Sequence, residues 1–104
     1  MKDAVSPAEL EGLLNQGANI KVLDVRRREH RIDVEHPIPG AEWQDPELIA
    51  EWSKKLGDRS EVIVFCVHGH NVSQGARDFL RKQGLRARIV EGGIEAWQAF
   101  SKNS

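Results

Sequence analysis

Short runs of β-branched and aliphatic residues alternate along this chain with stretches whose apolar residues recur every three or four positions. Proline or glycine marks most changes of period. This alternation is the strongest constraint on the fold. Strands joined through helices lie parallel, and helices then cover both faces of one sheet. Ser6-Pro7-Ala8-Glu9 opens the first helix, with serine as N-cap, proline at the first helical position and glutamate completing a capping box. Leu10, Leu13 and Leu14 form its apolar stripe and Gly17 ends it. Residues 20–25 are short and apolar enough for a buried strand. The run Arg26 to Arg31 reads as an exposed loop or irregular helical turn.

Two prolines and a glycine exclude regular structure from His36 to Ala41, and Glu42-Trp43 can form a very short strand. Asp45-Pro46 opens a second helix that carries Leu48, Ile49, Trp52 and Leu56 on one face and stops at Gly57. A central strand covers about 61 to 66. A third helix starts near Ser73, carries Val72, Ala76, Phe79 and Leu80, and ends at Gly84. Residues 87–90 form the last short strand. Gly92-Gly93 turns into a closing helix with Ile94, Trp97 and Phe100 facing inward. Ligands of such folds sit at the carboxyl ends of the strands, where Cys66 and Asp24 fall.

At 104 residues the chain is expected to be one domain, and 39% hydrophobic content suffices for one core. Fifteen basic and sixteen acidic residues leave a net charge of −1, which suggests no general attraction to nucleic acid or membrane. A lone cysteine forms no internal disulfide. No stretch approaches the roughly 20 apolar residues of a spanning helix, and residues 1–6 lack the apolar core of a signal peptide. A reducing, cytoplasmic setting is expected. Nothing in the sequence sets an oligomeric state.

The cysteine ends the central strand and is followed by Val67-His68-Gly69-His70-Asn71-Val72-Ser73. A thiolate, not a thiol, is the nucleophile. Loop N–H groups, the helix N-terminus near Ser73 and imidazolium at His68 or His70 all favour the anion. Gly69 lets the loop wrap tightly, and Ser73 can cap the helix and point its hydroxyl at the sulfur. The opposing reading is a cysteine that merely packs. Three chemistries suit a cradled thiolate. Phosphate-ester attack is disfavoured because the loop has no arginine, and Arg77 comes well inside the helix. Metal binding by Cys66, His68 and His70 lacks an evident fourth ligand. Sulfur transfer is the third.

For sulfur transfer four stretches, in order, carry a resemblance. Val22-Leu23-Asp24-Val25-Arg26 is similar to an "LDVR" signature and Ile38-Pro39-Gly40-Ala41 to an "IPGA" turn. Cys66 to Ser73 resembles an active-site loop, and Gly92-Gly93-Ile94-Glu95-Ala96-Trp97 a closing "GGxxAW" motif. Together they resemble the single-domain rhodaneses, thiosulfate sulfurtransferase-like modules. The resemblance implies a doubly wound, mostly parallel five-stranded sheet with helices on both faces. It implies Cys66 as sulfur acceptor and catalytic residue, loaded from a small anionic donor such as thiosulfate. The sulfur then passes to cyanide, a thiol or a protein, and no bound cofactor is required. Val67, His68, Gly69, His70, Asn71, Val72 and Ser73, with Arg26, form the candidate substrate-binding set. Many active members carry arginine directly after the cysteine; this chain has Val67. A non-catalytic module that binds a partner, a metal or a redox signal is the alternative.

Other residues have two readings. His68 and His70 can supply charge for an anionic donor, and Asn71 can brace the loop. Asp24 and Arg26 read as an ion pair at a strand end. Arg26, Arg27, Arg28 and Arg31 can steer anions or dock an acidic carrier. Trp43 is expected to wall the pocket, Trp52 and Trp97 to lie in the core, and Glu95 to be an exposed helix residue.

Overall fold

The computed structural model describes residues 2–57 and 61–103. Among the described residues five strands form one sheet: β1 (Ala4–Val5), β2 (Ile20–Asp24), β3 (Glu42–Trp43), β4 (Glu61–Phe65) and β5 (Arg86–Val90), in the order β1-β5-β4-β2-β3. Every pairing is parallel, so the sheet is wholly rather than mostly parallel. The helices are α1 (Pro7–Asn15), α2 (Ile49–Trp52), α3 (Asn71–Lys82) and α4 (Gly93–Lys102).

Side chains alternate across each strand and divide the core into two layers. Val62 and Val64 of β4 face one side with Leu80, Ala76 and Trp52 of α3 and α2. Ile63 and Phe65 face the other with Leu10, Ile94 and Trp97 of α1 and α4. Leu10, Leu23, Ile63 and Leu80 are completely buried, and each such side chain contributes about 1.5–3 kcal/mol relative to exposure.

The capping box of α1 forms as expected: Glu9 N–H donates to Ser6 Oγ at 3.1 Å, and Ser6 N–H donates to Glu9 Oε1 at 3.0 Å. Gly17 then takes φ +68°. The charged run contains a 3-10 turn at Arg28–His30. Two expectations need correction. The regular helix after Asp45 is three short pieces, a 3-10 turn at Pro46–Leu48, α2, and a second 3-10 turn at Ser53–Lys55. Leu48 leaves the helical region there (φ −106°, ψ 20°) and is 49% exposed. The third helix begins at Asn71 instead of near Ser73.

The chain leaves β2 for β3 on one side and leaves β4, through α3, for β5 on the other. The crevice between the carboxyl ends of β2 and β4 is therefore the switch point where α/β folds hold ligands.

Candidate active site

The chain turns out of β4 at Cys66, which is buried but lines a cleft of about 320 Å³. Its thiol donates to Ser73 Oγ at 3.2 Å, and Ser73 Oγ donates to the His70 carbonyl at 3.3 Å. Ser73 is fully buried and is the third residue of α3, whose N-cap is His70. The hydroxyl bonds back to a carbonyl three residues earlier, which a helical first turn permits. A residue type typical of caps thus sits inside the helix and beneath the sulfur.

The neighbouring helix holds the loop from behind. Ile94 N–H donates to the Cys66 carbonyl at 2.8 Å and Glu95 N–H to the Val67 carbonyl at 3.1 Å. Across a planar trans peptide, C=O and N–H point in opposite directions. The N–H groups of Val67 and His68 therefore face away from α4, and no α4 residue lines the cleft. None of the N–H groups from Val67 to Ser73 donates to an acceptor among the described residues. The last four of these are the open donors of a helix N-terminus.

This close seating depends on glycine. Gly69 and Gly93 have φ of +75° and +64°. A Cβ on Gly93 would lie 2.5 Å from the carbonyl oxygens of both Cys66 and Val67, and one on Gly69 would lie 2.9 Å from Gly92 N.

Val67, His68, His70, Asn71 and Val72 line the cleft with Cys66. Arg26, Arg27 and His30 close it from the β2 side. Gly69 and Ser73 do not line it; both are buried behind the wall. The guanidinium of Arg26 is largely occupied. Nε lies 3.0 Å from both Asp24 carboxylate oxygens, Nη2 lies 2.8 Å from Oδ2, and Nη1 donates to the Ile32 carbonyl at 3.0 Å. His68 Nδ1 lies 3.1 Å from Glu95 Oε2, both side chains being exposed, a pairing between distant positions that no local pattern announces. Trp43 does not wall this cleft as expected: its Nε1 donates to the Arg26 carbonyl at 2.8 Å, and its ring stands elsewhere. Among the described residues no group of three His, Cys, Asp or Glu is placed to hold a metal ion, so Cys66, His68 and His70 do not converge as ligands. No described helix is long and apolar enough to cross a membrane.

The sequence pattern of the Rhodanese-like domain matches residues 6–100. The chain belongs to the rhodanese-like domain family. A rhodanese-related protein from Thermoplasma volcanium shares 29% identity over 95% of this chain and 93% of its own, with a TM-score of 0.79. A rhodanese homolog from Thermus thermophilus shares 34% over 89% and 98%, at 0.67. A protein of unknown function from Rhodopseudomonas palustris, described as a possible tyrosine phosphatase, has the same fold at 19% identity, 95% and 81% coverage, and 0.78. No curated protein sequence matches significantly. For this rhodanese-like domain, two cleft residues lie outside the candidate substrate-binding set: Arg27, read only as one of a basic run, and His30, given no role. They were hidden within a run of charge, where only the path of the chain decides which side chain turns toward the cysteine.

Proposed function

We propose that the protein is a sulfurtransferase that carries sulfane sulfur as a persulfide on Cys66. The Cys66 thiolate attacks the outer sulfur of a donor such as thiosulfate. The new S–S bond forms as the sulfur–sulfur bond of thiosulfate breaks, and sulfite leaves with the electron pair. An acceptor thiolate then takes the outer sulfur and restores the Cys66 thiolate, which is ping-pong nucleophilic catalysis. One observation supports this above the others: the thiol lines an open cleft beside a loop whose N–H groups from Val67 to Ser73 have no acceptor among the described residues. Free donors beside a sulfur stabilise negative charge on it as an oxyanion hole does on oxygen. When the thiol ionises, the Ser73 hydroxyl can rotate from the His70 carbonyl and donate to the anion.

The partners are a small anionic sulfur donor and a thiol or protein acceptor, consistent with a reducing cytoplasm. Phosphatase chemistry, named as possible for the R. palustris neighbour, fits less well. The loop has no arginine, and Arg77 pairs with Asp78 at 3.0 Å. The test is intact-mass measurement after thiosulfate treatment and desalting. The expected result is the mass of one added sulfur atom, removed by cyanide and absent in Cys66→Ser. No gain from thiosulfate or from an organic persulfide would sink the proposal.

A further inference from the structure

The arginines after β2 are not one solvated face. Arg26 is closed on Asp24. Arg28 lies 3.4 Å from Asp45 and over the Trp43 ring, and Arg31 lies 4.2 Å from the centre of the same ring. Arg27 is exposed, and its side chain has no ion pair, hydrogen bond or ring contact among the described residues. It lines the Cys66 cleft and also a second groove of about 390 Å³. Val72 is likewise common to both, so the two adjoin at these side chains. The groove runs between Pro46, Glu47 and Ile49 on one side and Gly75 and Phe79 of α3 on the other.

Gly75 forms part of the groove wall. Glycine inside a helix lowers its stability, yet here φ is not left-handed and a Cβ would meet nothing within 4 Å. Neither backbone nor packing requires glycine at this position. What its missing side chain does is leave the groove open.

We infer that this groove selects the thiol partner of sulfur transfer: an organic thiol whose sulfur enters the Cys66 cleft, whose carboxylate meets Arg27, and whose apolar substituent lies along Gly75 and Phe79. The inference rests on the sulfurtransferase reading for its chemistry. The partner's thiolate attacks the outer sulfur of the Cys66 persulfide. The S–S bond breaks, its electron pair returns to Cys66, and the proton of the outer sulfur stays with it. A cysteine with a free carboxylate and an acyl chain on nitrogen has this order of groups. A cationic thiol would be repelled by Arg27, and a short one would leave the groove empty.

The test loads Cys66 from thiosulfate and follows discharge to N-hexanoylcysteine, its carboxamide and N-acetylcysteine. The wild type should discharge to N-hexanoylcysteine about tenfold faster than to either of the others, the size of effect one lost contact produces. Arg27→Gln should erase the preference over the carboxamide, and Gly75→Leu the preference over N-acetylcysteine. Equal rates with all three thiols would overturn the inference. Binding of unreactive S-methyl-N-hexanoylcysteine, followed by amide shifts in α3, separates this idea from the one beneath it. Binding weakened by both substitutions, in a protein that never gains sulfur, would keep the groove and remove the sulfurtransferase. Normal loading and discharge without such binding would do the reverse.

Discussion

The thiol is held in place by a glycine on another element. Gly93 brings the N-terminus of α4 against the Cys66 and Val67 carbonyls, and only a residue without Cβ fits there at φ +64°. Gly93→Ala combines a left-handed alanine with two backbone clashes, and should cost roughly 2–4 kcal/mol, read from urea denaturation. Sulfur loading of the folded fraction should fall with it, because the loop peptides lose the anchors that turn them. Unchanged stability and loading would mean that α4 does not position the loop. The cysteine and its glycine loop were readable because their residue types are rare and adjacent. The side chains that surround them were not. The His68 and Glu95 pair joins the cysteine loop to the first turn of α4, far away in sequence. Arg27 differs from Arg26, Arg28 and Arg31 only in what the fold leaves free for it to touch.

Elements with complete local signals formed as their residues imply. Ser6, Pro7 and Glu9 settle the start of α1 without help from the rest of the chain. Ser6→Ala should therefore cost about 1 kcal/mol. The Glu9 carboxyl is held down to about 2 by the Ser6 backbone N–H, then by Lys2. Its folded value lies below its unfolded one, so its contribution is complete above about pH 4.5 and is lost as pH falls from there toward 2. The urea midpoint of Glu9→Gln should depend less on pH across that window than that of the wild type; an identical dependence would show that the cap does not titrate with folding. Elements lacking such signals were misread or missed. Leu48, Ile49, Trp52 and Leu56 have helical spacing, but the stretch is too short to propagate a helix by itself. The Trp52 indole N–H donates to the Asp45 carbonyl at 2.7 Å, tying the segment into a compact turn. β1 has only two residues, too few for any period to show. It exists because Ile89 N–H donates to the Asp3 carbonyl at 3.1 Å and Glu91 N–H to the Val5 carbonyl at 2.8 Å, while Arg81 holds Asp3 from α3.

Cys66 lies where two separate packing layers meet. α3 reaches it from the layer containing Leu80 and Val64, and α4 reaches its carbonyl from the layer containing Ile63 and Trp97. The sheet between them is a single hydrogen-bonded wall, so the layers share backbone but not side-chain neighbours. Ile63 and Ile89 test whether that wall couples them. They lie on adjacent strands, in a register that sets Ile63 opposite Arg88 and Val64 opposite Ile89, yet they belong to opposite layers. Ile63→Val and Ile89→Val should each cost about 0.5–1.5 kcal/mol, a tolerable fraction of the roughly 5–15 kcal/mol typical of a domain. Residues this close along a sheet would ordinarily couple if they shared a cavity or a packing contact. With none shared, the double variant should equal the sum of the two within about 0.5 kcal/mol, in one cooperative urea transition. A coupling energy above about 1 kcal/mol would mean that strain crosses the strands. Changes in either layer would then reach the cysteine through β4 itself, and not only through the helix each layer presents to it.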